Sequence, residues 1–362
     1  MNKKRVVIVG TGNSVGNHLE AIQALSERVE LIAAVDSNAE RVQQFCTQYN
    51  VPNHYTDVTA MLAHEQPDLV CVVTPPASHK HITIECLEAN AWVYCEKPLC
   101  ASLADFDDLT AAENRTGNYV STVFQWRFGS AVKHIRQLMA ESALGKPLVA
   151  VCNTLWYRTA DYYDAVWRGR YETEFGGPTM TLGIHLMDLL LYLMGDWQDV
   201  RAAIGTLEHN IEVEDTAMAI VRFQNGAMGS IINTALAPRQ ESYLRFDFQK
   251  TTLEMTGLYR ASNANWTLTP TDRDALGVKA VWDTLDIDFQ GSHVQQLSEI
   301  LDALDANTRP PVSGDEARRI IEFTASLYKS AHTGQVVTRG DITPDDPFYY
   351  ANDGSRKAIP TS

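Results

Sequence analysis

Cysteine is scarce in this chain of 362 residues: Cys46, Cys71, Cys86, Cys95, Cys100 and Cys152 are scattered, and no two stand in a CxxC spacing. That removes the usual signatures of a structural zinc site and of a disulfide scaffold, and no metal is expected. Positive charge is also short, with Lys+Arg 30 against Asp+Glu 45 and a net charge of −15. Such a surface repels phosphate backbones and anionic lipid, so neither nucleic acid nor a membrane surface is an expected partner. Apolar runs stay well below the ~18 residues a membrane-spanning helix requires. The start, Met1-Asn2-Lys3-Lys4-Arg5, passes directly into Val6-Val7-Ile8-Val9-Gly10. This apolar stretch reads as a first strand rather than a signal-peptide core, so the expected compartment is the cytoplasm, with reduced thiols.

Hydrophobic residues make up 45% and charged residues 21%, a globular composition whose length suits two domains. The first third alternates strand and helix. Short apolar runs at Arg5–Val9, Val29–Val35 and Leu69–Val73 read as buried parallel strands, and Trp92–Cys95 as a further strand. Between and after them, His18–Arg28, Asn38–Tyr49, His79–Ala89 and Ser102–Thr116 carry helical spacing, with a further short helix entered through Tyr55–Met61. This order predicts right-handed crossovers and a doubly wound parallel sheet over residues 1–122.

A second α/β domain is expected over 123–338, with a tail over 339–362. Its segments at Leu148–Trp156, Val200–Leu207, Thr216–Phe223, Gly226–Thr234, Leu244–Gln249 and Thr251–Met255 alternate in polarity. Asn225-Gly226 marks a hairpin between two of them, so the sheet should be mostly antiparallel and open. Helices are expected at Val132–Met139, Ile184–Met194, His293–Leu304 and Gly314–Ser330.

Gly10-Thr11-Gly12-Asn13-Ser14-Val15-Gly16 lies between the first strand and the first helix. The first glycine permits the sharp turn. The second lets backbone N–H groups from Gly12 to Val15 approach a pyrophosphate at the helix start. The third small residue of the usual fingerprint would fall at Val15, with Gly16 one position late. Asp36 lies at the end of the second strand, where a carboxylate accepts ribose hydroxyls and repels a 2′-phosphate. NAD is therefore expected, and the neighbouring Ser37 and Arg41 leave NADP open. Thr74-Pro75-Pro76-Ala77-Ser78-His79 and Cys95-Glu96-Lys97-Pro98 both fall at carboxyl ends of expected parallel strands. Ligands of open α/β sheets bind at that edge, which makes Thr74, Pro75, His79, Glu96 and Lys97 candidate contacts. On residues alone, Lys97 is equally an exposed loop cation and a group that manages a reacting hydroxyl.

These motifs together resemble the Gfo/Idh/MocA oxidoreductases. The resemblance continues through Gly176-Gly177, Gly183-Ile184-His185-Leu186-Met187-Asp188 and Gly195 to Pro311–Arg318, nearly the whole chain. It implies a Rossmann domain, a second domain whose open sheet often serves oligomerisation, and a nicotinamide cofactor. It also implies that Lys97 contacts the reacting hydroxyl and that His185 takes or returns its proton. The family's aspartate four residues before that histidine is here Thr181, which cannot carry charge and leaves a neighbouring imidazole less basic. Asp188, a helical turn beyond His185, is read either as a substitute charge or as structural. Gln125 and Arg127 fall where the family often places a polar–arginine pair near nicotinamide or substrate. Trp156 to Arg170 is rich in aromatics and arginine, and Tyr157, Arg158, Trp167 and Arg168 are candidate contacts for a sugar ring and its polar groups.

The expected activity is NAD(P)-dependent hydride transfer to or from a sugar, sugar acid or inositol, in a dimer or tetramer. One rival is a redox-assisted lyase or glycosidase that recycles its NAD. Another is a non-catalytic sugar- or nucleotide-sensing regulator.

Overall fold

The computed structural model describes residues 2–355. The chain forms two compact units: one runs to Val123 and adds His293–Arg318, and the other holds Phe124–Ser292 and the chain from Arg319.

The first unit begins β1 (Lys4–Val9), α1 (Val15–Ala24), β2 (Val29–Val35), α2 (Ala39–Tyr49), β3 (Asn53–Tyr55) and α3 (Val58–Glu65). It continues β4 (Leu69–Val72), α4 (His79–Glu88), β5 (Trp92–Cys95), α5 (Leu103–Thr116) and β6 (Val120–Thr122). The strands pair in parallel in the order β3-β2-β1-β4-β5-β6. The order reverses between β1 and β4, which opens a crevice at the strands' carboxyl ends. Val6, Val7 and Ile8 have no exposed surface, as strands covered by helices on both faces require. Side chains begin several helices: Asn38 accepts from Arg41 N–H, Asp57 from Ala60 N–H and Ser102 from Asp105 N–H, each satisfying a donor the helix leaves open.

The second unit starts with α6 (Ser130–Ala140), β7 (Pro147–Tyr157), α7 (Tyr171–Glu174), α8 (Pro178–Thr181) and α9 (Ile184–Met194). Then come β8 (Trp197–Gly205), β9 (Thr216–Phe223), β10 (Met228–Thr234), β11 (Leu236–Phe248), β12 (Thr251–Gly257), β13 (Trp266–Pro270) and α10 (Ala275–Trp282). After α11 (His293–Ala306) and α12 (Asp315–Thr333), β14 (Val337–Thr338) completes a sheet ordered β13-β12-β11-β7-β10-β9-β8-β14. Its pairs are antiparallel except β7 with β10. Strand β9 buries Ala217, Ala219, Val221 and Phe223 and exposes Met218, Ile220 and Arg222, so one face of the sheet is open.

The expected single second domain over 123–338 needs one correction. Residues 293–318 belong with the first unit, because Leu297, Ile300 and Leu301 of α11 pack into the same core as Leu19 and Ile22 of α1. A helix returning after the whole of Phe124–Ser292 leaves no local signal of which core it fills. The seven residues after Ser355, part of the expected tail, lie outside the described residues.

Candidate active site

The carboxyl edge of the first unit's sheet carries the expected motifs. Gly10 has φ 100°, and a Cβ there would lie 2.6 Å from the Val73 carbonyl oxygen, so this turn tolerates only glycine. Gly12 faces open space, leaving its backbone approachable. Ser14 occupies the N-cap position of α1, Val15 is the first helical residue, and Val15 packs against the core. The displaced Gly16 is therefore accommodated by a valine making the helix contact.

Asp36 is more occupied than the sequence suggests. Its Oδ2 accepts from Thr11 N–H (2.9 Å), the Thr11 hydroxyl (2.8 Å) and Arg41 Nε (2.9 Å). Its Oδ1 accepts from Asn38 N–H (3.0 Å) and Arg41 Nη2 (2.6 Å). Burial opposes ionisation, yet these donors together lower the carboxyl to about 2. Ser37 follows it on the surface. A tight glycine turn, an open Gly12, a ten-residue helix and a fixed carboxylate at β2 fit a dinucleotide.

Two further turns share that edge. The Ser78 hydroxyl donates to the Thr74 hydroxyl oxygen at 2.6 Å. His79, a candidate cofactor contact, has no exposed surface: Nδ1 lies 2.7 Å from the Pro98 carbonyl and Nε2 2.8 Å from the Thr74 carbonyl. It ties the two turns together rather than reaching outward, and burial keeps its pKa below the usual value. The Lys97–Pro98 peptide is cis. Glu96 Oε2 accepts the Lys97 N–H at 3.2 Å. Glu96 Oε1 stands 3.0 Å from His18 Nε2 and 3.3 Å from His293 Nε2. Sequence reasoning missed both histidines: His18 sits among the apolar residues of α1, and His293 is 197 residues from Glu96.

These three side chains form a donor set of the kind that holds a divalent metal. A ligating imidazole, however, turns an N–H outward that needs an acceptor, and the buried His18 Nδ1 has none among the described residues. The geometry favours two imidazoles donating to one carboxylate.

In the second unit, the turn Gln125–Phe128 precedes α6. Arg127, expected at substrate, is only 4% exposed and donates to Asp188 through Nε (2.7 Å) and Nη2 (2.5 Å). Its guanidinium also lies 4.7 Å from the Tyr192 ring. Arg127 thus braces its turn against α9, and Asp188 answers Arg127, which is the structural one of the two roles open to it. Glu214, also missed, anchors the segment before α9 by accepting from Gly177 N–H (3.0 Å), Thr179 N–H (3.2 Å) and the Tyr328 hydroxyl (2.9 Å). Gly183 is required by close approach, since a Cβ would meet the Asn233 side chain at 2.1 Å. The Thr181 hydroxyl donates to the Gly177 carbonyl at 3.0 Å. His185 follows in the first turn of α9, 6.0 Å edge-on from the Phe124 ring.

The aromatic–arginine stretch also gathers in this unit. Arg168 lies 3.8 Å from the Tyr162 ring and 4.1 Å from that of Trp167, and it donates to Glu174 at 2.8 Å. Arg158 lies 5.1 Å from the Trp156 ring and 5.2 Å from Tyr162, and donates to the Tyr157 carbonyl at 2.8 Å. Tyr157 itself is exposed at the end of β7. Glu174, whose pKa burial raises, was not foreseen as the residue that orients Arg168.

Residues 4–124 match the family model described as oxidoreductase family, NAD-binding Rossmann fold, and residues 132–256 match the GFO/IDH/MocA C-terminal domain. The chain is 24% identical to D-apiose dehydrogenase of Paraburkholderia graminis over 358 residues, covering 94% of this chain and 91% of the relative. It is 24% identical to myo-inositol 2-dehydrogenase of Thermotoga maritima, covering 90% and 96%. Its fold is similar to that of the WlbA dehydrogenase from Bordetella pertussis in complex with NADH and UDP-GlcNAcA, with TM-score 0.82, 27% identity and coverage of 93% and 99%. With both halves matched, this chain belongs to the GFO/IDH/MocA family of NAD-binding oxidoreductases.

Proposed function

We propose that the protein moves hydride between a nicotinamide cofactor and a secondary alcohol of a polyhydroxylated substrate: a sugar, sugar acid or inositol. The observation that carries this reading is Lys97 at the carboxyl end of β5, on the same sheet edge as the glycine turn after β1. The relatives named as apiose and inositol dehydrogenases support the substrate class. The turn from Gly10 to Val15 holds the pyrophosphate, and Asp36 with Ser37 meets the adenosine ribose and favours NAD. Thr74 and Pro75 meet the nicotinamide end, and Gln125 is the second unit's candidate contact for the cofactor. When bound, the nicotinamide supplies the hydride acceptor or donor.

The remaining work belongs to the protein. Oxidising a C–H bond beside a hydroxyl requires that the hydroxyl proton leave. Lys97 hydrogen-bonds that oxygen and stabilises its developing negative charge, and His185 accepts the proton. Arg158, Trp167, Tyr157 and Arg168 orient the ring and its polar groups. Thr181 supports a second reading, the redox-neutral lyase or glycosidase, because a neutral residue stands where the family resemblance implies an aspartate. A screen of sugars, sugar acids and inositols with NAD and NADP, following NADH absorbance, separates the two. Stoichiometric NADH supports the dehydrogenase, and product without net NADH supports the second reading. No NADH and no product with any polyol would refute both and favour a sensor.

The open sheet face also points to a homo-oligomer. Val149, Met218, Ile220 and Met228 are exposed together on it, an apolar patch that a second copy would cover. Among the described residues no helix is long and apolar enough to cross a membrane. Six buried free thiols suit a reducing cytoplasm.

A further inference from the structure

Glu96 is the last residue before Lys97, and its carboxylate is divided between two tasks. One oxygen faces His18 and His293, and the other takes the Lys97 N–H. A carboxylate oxygen only accepts, so both imidazoles present Nε2–H to it. His18 is 1% exposed and His293 6%. The unpartnered His18 Nδ1 is a bare lone pair in a neutral ring, whereas an imidazolium would bury an N–H with no acceptor. Burial accordingly holds His18 below its usual pKa, and the two histidines hold Glu96 well below the carboxylate range.

The imidazoles are themselves fixed. Their rings meet edge-on at 4.8 Å, and His18 lies 5.0 Å from the Tyr94 ring. The Tyr94 hydroxyl donates to Gln296 on α11 at 3.3 Å, and Gln296 donates to the Thr122 carbonyl at 2.6 Å. The end of β5 is thus gripped by side chains from the first and the returning helix.

We propose that His18 and His293 are positioning residues for Lys97: paired imidazole donors that keep Glu96 ionised and in the one rotamer whose other oxygen fixes the Lys97 peptide. This rests on the reading that Lys97 handles the reacting hydroxyl. A reacting group displaced by ~1 Å can lose ~100-fold in rate, which sets the scale of the effect.

The test compares His293→Leu with His293→Gln, whose side-chain amide N–H reaches the place of Nε2. His293→Leu should lower kcat by about 10- to 100-fold while the NADH Kd, measured by fluorescence, stays near wild type. His293→Gln should recover most of that loss. Imidazole nitrogen NMR of the wild-type protein should show a proton on Nε2 of both histidines and His18 as the neutral Nε2–H tautomer. Wild-type kcat in His293→Leu, while Lys97→Met is inactive, would overturn the proposal. So would equal losses in both variants that track a fall in Tm, an Nδ1–H resonance from His18, or a stoichiometric transition metal in the purified protein. An active Lys97→Met protein would instead refute the role of Lys97, and the NMR tautomers would then decide the clamp by itself.

Discussion

Replacing Asp36 by alanine should both weaken the first unit and redirect cofactor choice. The carboxylate takes five donors, from Thr11, Asn38 and Arg41. Its pKa falls from 3.8 to about 2, which corresponds to about 2 kcal/mol in favour of the ionised folded form. Arg41 is half exposed, so solvent reduces that figure. A depressed carboxyl contributes stability above its unfolded pKa and loses it as pH falls from about 4 towards 2. Asp36→Ala should therefore lower Tm at neutral pH and flatten the acid limb of the stability curve. Removing the charge also releases Arg41 to meet a 2′-phosphate, and one hydrogen bond to a charged group is worth ~1.5–3 kcal/mol. The NADP-to-NAD ratio of kcat/KM should consequently rise by ~10-fold or more. Steady-state kinetics with both cofactors, beside thermal unfolding from pH 7 down to about 3, check both parts. An unchanged cofactor ratio in a folded variant would refute the assignment of Asp36 to the ribose.

Breaking the buried Arg127–Asp188 pair from one side should destabilise the second unit by ~3–5 kcal/mol, seen as a fall in Tm. Removing both charges with Arg127→Met and Asp188→Leu should recover much of that loss, because no charge is left unpaired. His18 is held below its ordinary 6.5, so the unfolded chain binds more protons below that value. Stability should fall on acidification from about pH 6.5, and His18→Gln should remove this part of the pH dependence in chemical unfolding. Ile220→Arg on the open sheet face should shift the molar mass measured by light scattering from oligomer to monomer; an unchanged mass would place the interface elsewhere.

Much of this organisation was legible because it is local. The strands at 29–35 and 92–95 and the helix at 184–194 stand where their periodicity placed them, since buried parallel strands and an all-round apolar helix write continuous patterns. Strands β3 and β6 have three residues each, too few to show alternation. The first unit's closing helix escaped assignment because an apolar face records burial but not the partner. The site divides in the same way. Gly10, Asp36 and Lys97 lie in contiguous motifs. The Glu96–His293 contact and the pairing of Arg127 with Asp188 join residues 197 and 61 positions apart. The family resemblance suggested ligand contact for Arg127 and the aromatic neighbours suggested it for Arg168, while the fold sets an acid against each.

Lys97→Ala tests the central claim most directly, assayed with the polyol that gives NADH in the wild-type screen and with NADH affinity measured on the same preparation. Hydride transfer should vanish while NADH still binds with near wild-type Kd. Turnover persisting at the wild-type rate would contradict it.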